Sequence, residues 1–219
     1  MVAPGMSDAE RRPLGSPSLE RTTRASVAPS MSSSFVLRTP RLLLRSFRAD
    51  DTVPFHAYRT DPEVARYQGW TAPTQEEAAA FVARQEQVVP GTPGTGAQIA
   101  IELQASGDMI GDVFLHTPRE EPEQARIGFT LARPFQGQGL AIEAVRRLLA
   151  FTFDDLAKHR VTALVLAANA RSIALLERVG MRREAHHVQS TRFENAWADE
   201  YVYALLRAEW EQAARQPGT

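Results

Sequence analysis

Pro134-Phe135-Gln136-Gly137-Gln138-Gly139-Leu140-Ala141-Ile142-Glu143-Ala144 is the stretch whose reading decides the fold. It follows a segment that reads as a strand, Ala125 to Leu131, and opens a helix expected to run to about Asp155. Two glycines at a strand-to-helix junction let backbone N–H groups turn toward one point, and the helix N-terminus adds partial positive charge there. The result is an anion cradle, with a diphosphate as its natural guest. Two common phosphate loops fail against these residues. The mononucleotide P-loop needs Gly, four residues, then Gly-Lys-Ser/Thr, yet the chain's one lysine is Lys158. The dinucleotide fingerprint needs a small residue where Ile142 stands, and an acidic ribose ligand at a strand end about 20 residues on. Asp154 and Asp155 fall at the end of the helix instead.

A third pattern fits. Gln136-x-x-Gly139-x-Ala141 resembles the Q/R-x-x-G-x-G/A signature of the GCN5-related N-acetyltransferases (GNAT), where this loop holds the pyrophosphate of coenzyme A. Asn169-Ala170-Arg171-Ser172-Ile173-Ala174-Leu175-Leu176-Glu177-Arg178-Val179-Gly180-Met181 resembles the superfamily's N-x-x-S-x-x-L-L-E-x-x-G-F segment. Ala125-Arg126-Ile127-Gly128-Phe129-Thr130-Leu131 looks like its strand before the loop. The opening, Leu37-Arg38-Thr39-Pro40-Arg41-Leu42-Leu43-Leu44-Arg45, and the close, Asp199-Glu200-Tyr201-Val202-Tyr203-Ala204-Leu205-Leu206, resemble the RimJ/RimL-like branch of ribosomal-protein N-terminal acetyltransferases. These ordered blocks cover roughly residues 35 to 210. The resemblance implies an α/β (α+β) GNAT fold: a mixed, mostly antiparallel twisted sheet of six or seven strands with helices on both faces.

Composition agrees with one such domain. Of 219 residues 43% are hydrophobic, enough for a real core. The absence of cysteine excludes disulfides, cysteine-based zinc sites and a thiol nucleophile. A formal charge of −1 gives no general drive toward nucleic acid. No apolar run approaches the ~18 residues a membrane span needs. Residues 1–34 are rich in Ser, Pro, Ala and Arg and poor in large apolar side chains, so they read as a disordered tail or as sequence upstream of a start at Met31. They lack the apolar region of a signal peptide, and a cytoplasmic location is expected. The domain is expected over 35–211, with a C-terminal tail over 212–219.

Along the chain, Leu42–Phe47 reads as the first strand, and Asp50 and Asp51 as caps for a short helix through Tyr58. Asp61-Pro62 starts another turn of helix, and Thr74 with Glu77 forms a capping box for a helix to about Val88. Residues 98–104 and 109–117 read as a hairpin turning at Ser106-Gly107-Asp108. In the helix after the phosphate turn, Leu140, Ala144, Val145, Leu148, Leu149 and Thr152 share one face. Residues 161–167 are apolar at both parities, the mark of a strand covered on both sides. Strand 125–131, helix and strand 161–167 form a βαβ unit, so those strands are expected to be parallel. A helix over 172–179, closed by Gly180, and strands near 186–192 and 199–206 complete the order β-α-α-β-β-β-α-β-α-β-β.

The resemblance assigns acetyl-CoA as cofactor. Gln136, Gly137, Gln138, Gly139, Leu140 and Ala141 would hold its pyrophosphate, and Phe129, Thr130 and Leu131 its pantetheine arm, as an added strand between two splayed neighbours. Asn169 and Ser172 would stand beside the thioester, with Ser172 protonating the leaving thiolate or bonding its sulfur. The related enzymes' carboxylate just before the Ile-Gly-Phe block is replaced by Arg126, which cannot act as a base. Glu102, Asp199 and Glu200 are substitutes by residue type and strand position, and Glu102 is taken as the candidate catalytic carboxylate. Tyr67 and Trp70 are expected on the acceptor side. The five histidines include the neighbours His186 and His187, which point to opposite faces of a strand, so no metal is expected. The expected reaction moves acetyl from acetyl-CoA to a primary amine, either a protein N-terminal α-amino group or a small amine. The rival is a non-catalytic acyl-CoA sensor. No nucleic acid or membrane partner is expected, and a homodimer is left open.

Overall fold

The computed structural model describes residues 35–215, apart from Gly69 and Glu194. The expected tail over 1–34 lies outside the described residues. Eight strands form one sheet in the order β1-β2-β3-β4-β5-β6-β8-β7, one more than the upper expectation. They are β1 (Val36–Arg38), β2 (Leu42–Arg45), β3 (Thr95–Leu103), β4 (Met109–Thr117), β5 (Gln124–Leu131), β6 (Arg160–Leu166), β7 (Arg182–Phe193) and β8 (Ala196–Leu206). The added strand is β1, three residues that gain their order by pairing Val36–Arg38 with Arg45–Leu43 of β2. All neighbours are antiparallel except β5 and β6, which are parallel as the βαβ unit requires.

Two cores flank the sheet. The larger gathers alternate residues of the central strands, such as Ile99, Val113, Ile127 and Val161, under α4 (Leu140–Ala150) and α5 (Ala170–Arg178). Leu140, Ala144, Val145, Leu148, Leu149 and Thr152 are all at most 3% exposed, as helical spacing predicts. The helix continues to Asp155 by widening into a π turn, Phe151–Asp155. The smaller core, with Phe47, Phe55, Tyr58 and Val82, lies under α1 (Thr52–Thr60), α2 (Pro62–Ala65) and α3 (Gln75–Glu86). Thr74 and Glu77 form the expected capping box. Asp51, by contrast, makes no side-chain cap to α1, because its carboxylate is held by Arg45.

Two expectations need correction. Strand β6 is not covered on both sides: Val161, Ala163 and Val165 are buried in the larger core, while Leu164 and Leu166 are half-buried and belong to neither core. The boundary expected between 211 and 212 also falls inside a helix. Helix α6 (Arg207–Arg215) continues directly from β8, with Trp210 stacked 5.7 Å from Phe153. No helix among the described residues is long and apolar enough to cross a membrane.

Candidate active site

Strands β5 and β6 pair only at Gln124, Ala125 and Arg126, opposite Arg160, Val161 and Thr162. Beyond that point they separate, while β4 stays paired to β5 through Leu131 and β8 stays paired to β6 through Leu166. The gap is a cleft of about 650 Å³. Its walls are the α2 segment from Glu63 to Gln68, the end of β5 with the turn into α4, and the start of α5. The carbonyl of Leu131 points into this gap, where it accepts from Gln136 Nε2 at 2.9 Å. By strand alternation the N–H and C=O of Phe129 face the same way, with no partner strand opposite them.

The turn into α4 behaves as a donor cluster. Gly137 and Gly139 both sit at φ +76°, the left-handed region that glycine adopts without strain. The protein itself leaves space at both: a Cβ on Gly137 would meet nothing within 4 Å, and one on Gly139 only Arg41 Nη2 at 3.5 Å. Gln136 N–H bonds Arg133 O and Glu143 N–H bonds Gly139 O, but the six N–H groups between them, 137 to 142, have no acceptor among the described residues. The last three are the orphan donors of a helix start. Such a concave row of unspent donors at the positive end of a helix fits a diphosphate.

The turn is braced from outside the cleft. Arg41, just before β2, donates Nη1 to Gln138 O at 3.0 Å and Nε to Glu143 Oε2 at 2.6 Å. Glu143 also accepts from Arg41 N–H at 2.9 Å and Thr39 Oγ1 at 2.6 Å. Partial burial alone would raise the Glu143 carboxyl, but these bonds outweigh it and hold the group below its ordinary 4.5. A carboxyl lowered on folding stabilises the fold above its unfolded value and loses that contribution as pH falls through the folded value. Glu143→Gln is therefore expected to lower the melting temperature at neutral pH by about 2–6 °C. The gap between variant and parent should close as the pH drops below 4.5. A gap that persists undiminished in acid contradicts this role.

On the opposite wall, Asn169 caps α5, its Oδ1 accepting from Ser172 N–H at 3.2 Å. The Ser172 hydroxyl is partly buried, lines the cleft and has no hydrogen-bond partner among the described residues. Arg171 and Arg178, two turns of α5 apart, line the same wall, and Arg171 Nη1 reaches Gln136 Oε1 across the gap at 3.4 Å. Sequence alone does not single out either arginine, because arginine is scattered along the whole chain. Their spacing of seven within the Asn169–Met181 block was the signal that marked one helix face.

Of the expected residues, Phe129, Thr130, Leu131, Gln136, Gly137, Gly139, Ala141, Asn169, Ser172 and Tyr67 line this one cleft. Gln138 and Leu140 do not line it: the Gln138 side chain bonds Pro134 O at 2.8 Å, and that of Leu140 is 3% exposed in the core. Tyr67 stacks on Phe193 at 5.7 Å, joining the turn after α2 to the end of β7. Trp70 does not line the cleft. Its ring lies 3.7 Å from the Arg59 guanidinium and its Nε1 donates to Arg59 O at 3.3 Å, so it packs back onto α1. Arg59 in turn reaches Asp112 Oδ2 at 3.1 Å, beside the 2.7 Å bond from Tyr58 to Asp112 Oδ1. Glu102 is also outside the cleft. Its Oε2 is held by Arg45 Nε at 2.5 Å and by Arg48 at 3.3 Å, and the residue is 8% exposed. Asp199 is engaged by His186 Nε2 at 2.6 Å and by Gln189 N–H at 2.9 Å. Among the described residues no group of three His, Cys, Asp or Glu side chains could hold a metal.

Comparison with known proteins bears on the same segments. The family profile described as acetyltransferase (GNAT) domain matches residues 41–182. The uncharacterized N-acetyltransferase YnaD of Bacillus subtilis (strain 168) is 30% identical over 175 residues, 80% of this chain and 98% of YnaD. An Escherichia coli [ribosomal protein uS5]-alanine N-acetyltransferase is 27% identical over 84 residues, 38% of this chain and 43% of that enzyme. A GNAT-family acetyltransferase of Bacillus anthracis superposes with a TM-score of 0.71 at 27% identity, covering 80% of this chain and 99% of the other. The chain thus belongs to the GNAT family of acetyl-CoA-dependent N-acetyltransferases, whose loop and strand pattern it carries from Arg41 to Arg182.

Proposed function

We propose that this chain transfers acetyl from acetyl-CoA to a primary amine by direct attack within a ternary complex, and that a protein N-terminal α-amino group is the acceptor, with a small amine as the alternative. The observation that carries the proposal is the run of six unspent N–H groups, 137 to 142, beside the unpaired edge of β5. When bound, acetyl-CoA supplies an activated thioester. The chain's own groups do the remaining work. The 137–142 amides, with Arg171 and Arg178 nearby, hold phosphate charge. The Phe129 main chain pairs with an amide-bearing arm as an added strand would, and its N–H can polarise a carbonyl. Asn169 fixes the start of α5, and so places Ser172. The Ser172 hydroxyl, without a partner among the described residues, gives its proton to the leaving sulfur and takes in its place the proton that the attacking nitrogen sheds as the amide forms. With no cysteine in the chain, an acyl-cysteine intermediate is not available. The similarity to the uS5-alanine acetyltransferase supports the α-amine acceptor.

The test is thiol release from acetyl-CoA with a panel of amines and N-terminal peptides. Turnover with a member of the panel is expected; tight CoA binding with no turnover across it would overturn the reading. Ser172→Ala is expected to lower kcat on the order of 10²-fold with CoA affinity nearly unchanged. Equal rates for variant and parent would end the acid role.

A further inference from the structure

An amine is protonated in neutral water, so a cleft that acetylates amines gains from an anion that draws the ammonium in and takes its proton. Four of the carboxylates nearest to hand are committed elsewhere, Glu102 to Arg45 and Arg48, Asp112 to Arg59 and Tyr58, Asp199 to His186, Glu143 to Arg41 and Thr39, and Glu200 does not line the cleft. Asp61, at the N-cap of α2, is paired with Arg133 at 3.2 Å. Glu63 differs from all of these. Among the described residues it is the one carboxylate that lines the cleft, it is exposed, and its side chain has no hydrogen bond or ion pair there.

Position supports chemistry. The donors suited to phosphate, 137–142 with Arg171 and Arg178, stand on the α4 and α5 walls. Glu63 stands on the third wall, that of α2, with Val64 beneath it in the smaller core and Tyr67 one turn on, stacked against Phe193. Arg66 lines that wall as well, its guanidinium 5.3 Å from the centre of the Tyr67 ring, and Glu63 is the anionic side chain there that faces the acceptor once phosphates occupy the α4 and α5 walls. We propose that Glu63 is the acceptor-binding carboxylate: it holds the incoming ammonium by a charge-assisted hydrogen bond and accepts its proton, leaving the nitrogen lone pair free to attack the thioester carbonyl. The C–N bond then forms, the C–S bond breaks, and the thiolate is protonated. The acceptor is accordingly a cationic primary amine. This assignment rests on the acetyltransferase reading above.

Glu63→Gln keeps size and hydrogen-bonding reach and removes the charge. The best amine of the panel is first identified with the parent protein. With that amine, Glu63→Gln is expected to lower kcat/KM more than tenfold, chiefly through acceptor KM, and to weaken acceptor binding to the CoA-loaded protein in calorimetry. CoA affinity should stay within twofold of the parent, which also reports an intact fold. Glu63→Asp should recover part of the loss. A Glu63→Gln protein with parental kcat/KM and parental acceptor affinity overturns the role of Glu63 and leaves the acetyltransferase reading standing. A parent protein that turns over no amine of the panel overturns that reading, and the role of Glu63 with it.

Discussion

Gly139→Val is expected to weaken CoA binding by more than about tenfold, ~1.4 kcal/mol, while the protein still folds. Gly139 sits at φ +76°, ψ 1° as the residue before α4. A β-branched side chain there costs about 1–3 kcal/mol of backbone strain, which in a domain of this size lowers the melting temperature by roughly 2–12 °C. The protein has room for the added atoms, since only Arg41 Nη2 lies within 4 Å of the Cβ position. The binding loss therefore has two sources outside the core. The valine methyl groups intrude on the space that a diphosphate needs, and relief of strain rotates the 139 and 140 amides away from convergence. Calorimetric titration of CoA against both proteins, with melting curves for each, measures the two effects separately. Unchanged CoA affinity in a folded Gly139→Val protein would reject the placement of the phosphate site.

The largest effect on stability is expected at Asp112. This side chain is 2% exposed and accepts from Tyr58 Oη at 2.7 Å and Arg59 Nη2 at 3.1 Å. Burial pushes its carboxyl up; Arg59 and the Tyr58 hydrogen bond pull it only part of the way back. Burial and the Asp112 charge together push the Tyr58 phenol well above its usual value. Arg59 is 7% exposed and its Nε already lacks a partner. Asp112→Ala would leave that guanidinium buried with no counter-charge, at a cost of about 3–5 kcal/mol, or roughly 6–20 °C in melting temperature. The paired replacement Asp112→Leu with Arg59→Met removes both charges and is expected to recover part of the loss, the buried Tyr58 hydroxyl still lacking its acceptor. A denaturation cycle over the parent, the two single variants and the double decides the matter. A single-variant loss under about 1 kcal/mol, or a double variant no better than the worse single, would contradict it. Because Arg59 also carries Trp70, and Thr130 lies opposite Asp112 across the β4–β5 pair, the cluster ties the turn after α2 to the wall of the cleft.

The βαβ unit was legible from sequence because its signals are local. The spacing of Leu140, Ala144 and Leu148 set the buried face of α4, and two glycines between strand and helix set the turn. The ordered motif blocks then placed ten of the expected side chains or main-chain groups on one cleft. What escaped was non-local. The period of two runs unbroken through β5, so nothing in 124–131 says that pairing to β6 stops at Arg126. Strand β1 has three residues and no periodicity of its own; its order comes from β2. Helix α6 has a weak apolar face, fixed mainly by Trp210 against Phe153 and Asp154. Glu102 sits on a strand as expected, yet its partner Arg45 is 57 residues away, so its commitment to an ion pair could not be read locally. Glu63 followed a proline at a helix start and looked like an ordinary first-turn acid.

The convergence of the 137–142 amides on a cofactor's phosphates can be observed directly. Isotope-labelled protein titrated with CoA reports each backbone amide separately. The amides of Gly137, Gln138, Gly139, Leu140, Ala141 and Ile142 should move most, together with that of Phe129, and should follow a single saturating curve. CoA that binds while those seven amides stay unmoved, with the shifts gathered elsewhere on the protein, would contradict the account.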